Sequence, residues 1–347
     1  NTADSRAQER IAFLRGESET LRIRKRLPGG QPIVLGDIVN SSPLRVSGAM
    51  YRGTAAETLE KDGNYPAFIQ GQIGKPAMIY VGANDGMLHA FNADTGEEEF
   101  AFIPSAVRSN LNVLTASNYG EKEGTPHRYY VDGSPVATDV FFGGAWHKVL
   151  IGSLGAGGRQ VFALDITDPL NPSLLWEFGS DQDSNMGNSV AQPTIARLND
   201  PSSTVVGKWV ALVPSGYQGG SSSTGGANLF VLDIETGAKI KSFDLAGGMT
   251  AAELTASLPL GNGLSRATGV DGNRDGKVDL AYAGDLLGNV WRFDMRSGDS
   301  DAWTAQKFFT AKDASGVRQP ITAAPYVVDH PTGNGDLVIV GTGRLLT

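Results

Sequence analysis

The feature that most constrains this chain is a nine-residue phrase that returns four times. Leu88-His-Ala-Phe-Asn-Ala-Asp-Thr-Gly96 matches Leu229-Phe-Val-Leu-Asp-Ile-Glu-Thr-Gly237. Val290-Trp-Arg-Phe-Asp-Met-Arg-Ser-Gly298 and Val161-Phe-Ala-Leu-Asp-Ile-Thr-Asp-Pro169 carry the same alternation. Each phrase is a β run ending in Asn or Asp, then two or three residues and a Gly or Pro, the composition of a tight turn. A further β segment follows each turn: Glu98 to Phe102, Leu174 to Phe178, Lys239 to Phe243 and Trp303 to Phe309.

Each phrase is also preceded by a short apolar run ending in glycine, at Met78 to Gly82, Val149 to Gly152, Val210 to Gly216 and Leu280 to Gly284. Before these lie Gln31 to Val39, Gly133 to Val140, Gln192 to Leu198 and Leu264 to Asp271; Ala324 to Asp329 and Leu337 to Gly341 open another unit. Four units of four strands and the start of a fifth describe an all-β chain. One four-stranded sheet does not bury both of its faces alone, so units must stack around an axis. The expected fold is an irregular β-propeller, seven-bladed when complete, with a sandwich of hairpins as the competing architecture. The surplus over regular blades falls in long loops at Val46 to Ile73, Ser105 to Arg128, Gly179 to Ser189 and Ser215 to Gly226, where partner recognition is expected. Ahead of the repeat, Asp4 to Leu14 reads as a short helix, capped at Asp4 or Ser5, with Ala7, Ile11 and Leu14 on one face. This divides the chain into an N-terminal helical and linker segment, 1–30, and a propeller, 31–347, whose end after Arg344 reads as a truncation.

The stretch richest in chemistry is Asp271-Gly-Asn-Arg-Asp275-Gly276-Lys277-Val-Asp279. Oxygen-bearing side chains alternate around one glycine, as in the first nine residues of an EF-hand loop. A hard cation wants about six to eight oxygens. Asp271, Asn273 and Asp275 would supply side-chain oxygens, Lys277 its carbonyl, and Asp279 an oxygen directly or through water. Gly276 stands where the chain turns sharply. Position twelve, a bidentate glutamate in an EF-hand, is Tyr282, and Val278 to Gly284 reads as a strand; the loop is a calcium turn feeding a sheet. Asp181, Asp183 and Asn185 space their oxygens likewise, but lack the glycine, and a plain turn is favoured there.

The other constellations are weak. His89, His127, His147 and His330 stand at no metal-ligand spacing. Gly152 to Gly158 resembles a phosphate cradle but joins two strands, so it reads as a hairpin loop; Asn84-Asp85-Gly86 is a hairpin turn. With no cysteine in 347 residues, disulfides and thiolate sites are excluded. A net charge of -8 argues against nucleic acid as a partner, and Arg22 to Arg26 is a short solvated basic run. No apolar stretch approaches the ~18 residues of a membrane helix, and residues 1–15 form no signal peptide.

The phrase Tyr80-Val-Gly-Ala-Asn-Asp-Gly-Met-Leu-His-Ala-Phe-Asn-Ala-Asp-Thr-Gly96 resembles the repeat of quinoprotein-type propellers. A more specific likeness runs through Gly36-Asp-Ile-Val-Asn-Ser-Ser-Pro43, Tyr80 to Gly96, Tyr130-Val-Asp-Gly-Ser-Pro135, the calcium loop, Gly284-Asp-Leu-Leu-Gly-Asn-Val-Trp-Arg-Phe-Asp294 and Val340-Gly-Thr-Gly-Arg344. In these the chain resembles the PilC/PilY family of type IV pilus tip-associated proteins, through its C-terminal propeller. The resemblance implies an exported protein at the cell surface, outer membrane and pilus tip of a Gram-negative bacterium. It implies support of pilus assembly and extension against retraction, twitching motility, virulence, and adhesion to host or abiotic surfaces, with major or minor pilins as partners. It also implies calcium as the cofactor, on Asp271, Asn273, Asp275, Lys277 and Asp279, and a binding module rather than an enzyme. A quinoprotein-like dehydrogenase is the alternative; such enzymes typically carry a vicinal cysteine pair beside the cofactor, which this chain lacks.

Overall fold

A computed structural model of the chain describes residues 6–17, 34–51, 60, 64–199, 208–217, 227–255, 261–333 and 335–343. The expected helix cap at Asp4 or Ser5, the basic run Arg22 to Arg26 and the truncation after Arg344 lie outside these residues.

The repeats fold as antiparallel meanders, four sheets of four strands and one two-stranded hairpin among the described residues. Blade 1 comprises β1 (Leu44–Val46), β2 (Met78–Ala83), β3 (Met87–Asn92) and β4 (Glu98–Phe102). Blade 2 comprises β5 (Val136–Phe142), β6 (Ala145–Ser153), β7 (Gln160–Asp165) and β8 (Ser173–Gly179). Blade 3 holds β9 (Thr194–Leu198), β10 (Lys208–Pro214), β11 (Asn228–Asp233) and β12 (Lys239–Asp244). Blade 4 holds β13 (Thr268–Val270), β14 (Leu280–Gly284), β15 (Asn289–Asp294) and β16 (Thr304–Thr310); β17 (Tyr326–Asp329) and β18 (Asp336–Ile339) form the hairpin. Strands follow chain order within every sheet. First strands of successive blades touch, β5 with β9, β9 with β13 and β13 with β17, so they line the axis.

Burial explains why the second and third strands are apolar almost throughout. Along β6, Leu150 packs toward blade 1 with Tyr80 and Leu88, while Val149 and Ile151 pack toward blade 3 with Phe230 and Leu232. Blade 3 repeats the division: Val213 joins the cluster with blade 2, and Leu212 joins Trp291 and Phe293 of blade 4. A strand whose alternate side chains both face a neighbouring sheet has no solvent side, so period-two alternation of polarity disappears. These separate inter-blade cores are those of a propeller, not of a two-layer sandwich.

The recurring Asn or Asp has a local cause. Asn92 Oδ1 accepts the N–H groups of Asp94 and Thr95, and Asp233 Oδ1 accepts those of Glu235 and Thr236. Gly96 and Gly237 then close each turn by donating to the carbonyls of Asn92 and Asp233, at φ of 77° and 70°. That left-handed backbone region suits glycine. In all four blades the third–fourth strand pair carries a register shift.

Three expectations need correction. The first strand of blade 1 is not Gln31 to Val39: residues 34–39 join no sheet, and β1 lies at Leu44–Val46. The apolar side chains of Val34, Leu35, Ile38 and Val39 are exposed, and the segment is held by polar contacts, Gly36 N–H to Asp85 and Asn40 to Asp132. The N-terminal helix, α1 (Ala7–Leu14), buries Phe13 and exposes Ile11, because its docking partner lies off the face chosen from periodicity. That partner is the third departure. Ser105–Thr115, expected as loop, is a 3-10 helical segment burying Val107, Leu111 and Leu114. Arg10 of α1 donates to the Asn112 carbonyl (3.1 Å) and Thr115 Oγ1 (3.0 Å) there.

The described residues of the long β1–β2 connection are ordered against the sheets as well. The connection contains α2 (Tyr65–Gln72) and reaches from blade 1 across blades 2 and 3. Tyr51, Tyr65 and Phe68 rest on Trp146 of β6, and Tyr51 also meets Trp209 of β10 edge-on, with centroids 5.5 Å apart. Asp139 of β5 holds this strap. Its carboxylate, wholly buried, accepts the Met50 and Tyr51 N–H groups and the Tyr65 hydroxyl, and pairs with Lys148 Nζ.

Candidate metal centre

Residues 271–279 join β13 to β14, on the corner where blade 4 meets blade 3 and the hairpin. The turn is tied internally by its own acidic side chains. Asp271 accepts the Asp275 N–H through Oδ1 (3.0 Å) and the Gly276 N–H through Oδ2 (2.7 Å). Asn273 Oδ1 accepts the Asp275 N–H at 2.9 Å, and Asp275 Oδ1 accepts the Lys277 N–H at 3.0 Å. Asp279, buried, closes the loop by accepting the Gly272 N–H at 3.1 Å. Two left-handed residues permit this winding, Arg274 at φ 60° and Gly276 at φ 83°. Gly276 stands where the motif demands it; Arg274 is the one non-glycine residue with positive φ among the described residues.

Contacts outside the loop fix its position. The Val278 N–H donates to the Arg197 carbonyl of β9 (2.7 Å), and Arg274 Nη2 reaches Asp329 of β17 (2.9 Å) on the surface. Burial pushes the Asp275 carboxyl up, but the Lys277 ammonium and N–H outweigh it and hold the group below the usual carboxylate range. That favours the anionic form of Asp275, the form needed to bind a cation.

The five expected donors thus share one turn. The side chains of Asp271, Asn273, Asp275 and Asp279 accept backbone N–H groups, the Lys277 ammonium pairs with Asp275 (3.0 Å), and among the described residues no three His, Cys, Asp or Glu side chains gather into a metal-holding group. The donor chemistry nonetheless fits a hard cation. A carboxylate has about four lone-pair sites, so an oxygen engaged by one N–H keeps acceptor capacity, and every donor in the set is oxygen.

The remaining sequence candidates occupy structural positions. Asp183 accepts the Asn185 N–H and pairs with Lys239 (2.6 Å), in the turn after β8. Gly155–Gly157 is a short 3-10 segment between β6 and β7, and Gly86 turns β2 into β3 at φ 97°. Of the histidines, His89 lies buried between Asp85 and Glu98, His127 meets Asp37, His147 meets Asp165, and His330 bonds within its own turn. Sequence reading missed the buried ionic groups. Arg197 pairs with Glu60 of the strap (2.6 Å), across 137 positions, and Glu60 also accepts Trp209 Nε1. No local pattern announces a partner so distant.

The family described as the PilY1 beta-propeller domain matches residues 35–347. The type IV pilus biogenesis factor PilY1 of Pseudomonas aeruginosa PAO1 is 45% identical over 99% of this chain. A homolog from Xylella fastidiosa Temecula1 is 37% identical over 99% of it. The chain spans only 29% and 26% of those proteins' lengths. The crystal structure of the Pseudomonas aeruginosa PilY1 C-terminal domain superimposes with a TM-score of 0.71 at 42% identity, covering 86% of this chain and 59% of that one.

Proposed function

This chain belongs to the PilY1 beta-propeller family, and from that membership we propose that it is the calcium-binding propeller of a type IV pilus biogenesis factor. The observation that carries the reading is the 45% identity maintained over 99% of the chain with a relative bearing that name. In this reading the propeller supports pilus assembly and extension against retraction, and through them twitching motility, virulence and attachment to surfaces or host cells. Pilins are its partners and the exported cell surface and pilus tip its place; among the described residues no helix is long and apolar enough to cross a membrane.

Calcium would be held by Asp271, Asn273 and Asp275 through side-chain oxygens, by Lys277 through its carbonyl, and by Asp279 directly or through water. The ion would supply positive charge to a turn now held by the chain's own N–H groups and Lys277. Because the loop abuts blade 3 through Arg197 and the hairpin through Arg274, ordering it would favour one arrangement of that corner. A ligand shifts a conformational equilibrium only by its difference in affinity between states.

The experiment uses the intact protein carrying Asp275→Ala or Asp279→Ala. Calcium titration should show binding weakened by more than about tenfold, since even outer-shell losses at metal sites reach that size. Surface piliation and twitching of complemented cells are scored alongside. Undiminished calcium binding would sink the site; lost binding with normal piliation would sink its role in the pilus.

A further inference from the structure

Among the described residues, the axial end of the propeller nearest the 271–279 loop opens into a cavity of about 420 Å³, walled by Val136 and Ala137 of β5 and Ile195 and Ala196 of β9. Two guanidinium groups, of Arg197 and Arg266, line it, and no carboxylate does. Arg197 is committed to Glu60. Arg266 is different. Its Nε donates to Thr194 Oγ1 (3.2 Å) and its Nη1 to Gln192 Oε1 (2.5 Å), both neutral acceptors. Among the described residues no acidic group offsets its charge, and burial alone acts on it, pushing its pKa down.

A guanidinium has five N–H donors. Two are spent on Thr194 and Gln192, which leaves three, including both on Nη2. Arg266 is half-buried and lines the cavity, and among the described residues none of these three donors has a protein partner. The partners that hold Arg266 are themselves held: Gln192 Nε2 donates to the carbonyls of Ser134 and Pro135, and Thr194 Oγ1 to that of Ala267. The guanidinium is therefore held in direction beside the cavity, with three N–H donors unspent. Arg binds carboxylates edge to edge through two parallel N–H bonds, and preorganisation of that fork reduces the entropy lost on binding.

We propose that Arg266, positioned by Gln192 and Thr194, is an anion-recognition site in the axial cavity, and that its ligand is a carboxylate with a small apolar body, as at the free end of a peptide. One unspent cation balances one negative charge, whereas a phosphate or sulfate dianion would call for a second. The apolar part of the lining, Val136, Ala137, Ile195 and Ala196 with Tyr51 and Trp209, suits an organic body and would leave an inorganic ion partly desolvated without partners. The cavity also borders the acidic loop through Gly276 and Val278, but none of the five proposed calcium donors lines it.

The test titrates the intact protein, at fixed ionic strength, with N-acetylated tri-alanine, its C-terminal amide, acetate and inorganic sulfate. The peptide acid should bind saturably and the amide at least about tenfold more weakly, the loss of one charge-assisted pair. Acetate binding as tightly as the peptide acid would identify a free carboxylate as the source; weaker acetate binding would identify a chain terminus. Arg266→Gln should abolish saturation and Arg266→Lys should weaken it about tenfold, since an ammonium lacks the planar fork. Gln192→Glu keeps an acceptor beside Arg266 and supplies a carboxylate in place, so it should abolish binding in a chain whose far-ultraviolet circular dichroism is unchanged. Three results would overturn the proposal: no saturable response to either carboxylate by the wild type, unaltered affinity in Arg266→Gln or Gln192→Glu, or sulfate binding as tightly as the peptide acid.

Discussion

Replacing Asp139 by Ala tests how the strap from blade 1 is fastened. The carboxylate is fully buried and meets Met50 N–H, Tyr51 N–H, Tyr65 Oη and Lys148 Nζ. Its removal strands a buried ammonium whose other acceptor is the Gly48 carbonyl, at 2.7 Å. Removing one partner of a buried ion pair costs about 3–5 kcal/mol, mostly from the charge left behind. Unfolding entropy near 2.1 cal/mol/K per residue gives about 0.7 kcal/mol/K for a chain of 347 residues. The thermal midpoint should therefore drop by about 4–7 °C. Lys148→Met in the same background removes the stranded charge and should recover more than half of the loss, a coupling read from the double-mutant cycle. Amide exchange localises the effect: Met50 and Tyr51 should lose protection, while β14 amides should not. A fall below about 1 kcal/mol, no recovery in the double variant, or retained protection at Met50 and Tyr51 would each refute the assignment of Asp139 as the anchor.

Other consequences are simpler. Tyr80 is wholly buried with no partner for its hydroxyl among the described residues, and burial pushes that phenol's pKa up; Tyr80→Phe should raise stability by about 1 kcal/mol, measured by denaturant titration, because an unsatisfied polar group is removed. His89 is desolvated, which pushes its pKa down, but Asp85 and Glu98 outweigh that and raise it above the ordinary value. A raised folded-state pKa contributes stability below the unfolded value near 6.5, lost as pH rises through the folded value. The midpoint difference between wild type and His89→Gln should thus shrink from pH 6 toward pH 9, and a pH-independent difference would exclude the charged pair. Gly237→Ala should cost more than about 1 kcal/mol in the same titration, since φ is 70° and the new Cβ would lie 2.6 Å from the Trp176 ring.

The blades were legible because their signals are local. A third strand, its Asx turn and the next strand fit within some fifteen residues, and the turn's own hydrogen bonds explain why Asn92 and Asp233 recur at its start. What periodicity did not carry were elements whose burial is decided by distant partners. Ser105–Thr115 became helical and buried against α1, and β1 formed at Leu44–Val46 because that segment, not residues 34–39, meets β2. The acidic motif was legible as a turn for the same reason as the blades: Asp271, Asn273 and Asp275 cap their own backbone within five residues. Its surroundings were not.

Those surroundings meet at Arg197. Its side chain binds Glu60 of the strap that begins in blade 1, and its carbonyl receives the Val278 N–H of the acidic loop in blade 4. Glu60 in turn accepts Trp209 Nε1 of blade 3, so a single buried carboxylate and a single strand residue tie three blades to the corner proposed to take calcium. Arg197→Met keeps the backbone carbonyl but strands Glu60, and a buried unpaired charge destabilises by about 3–5 kcal/mol. If strap and loop are coupled, this variant should also change the calcium affinity of the intact protein, although residue 197 supplies no donor to the ion. Glu60→Gln combined with Arg197→Met removes the stranded charge and separates the two effects: stability should return in part, and the altered affinity should persist. An affinity equal to wild type in both variants would show that the loop responds only to its own residues.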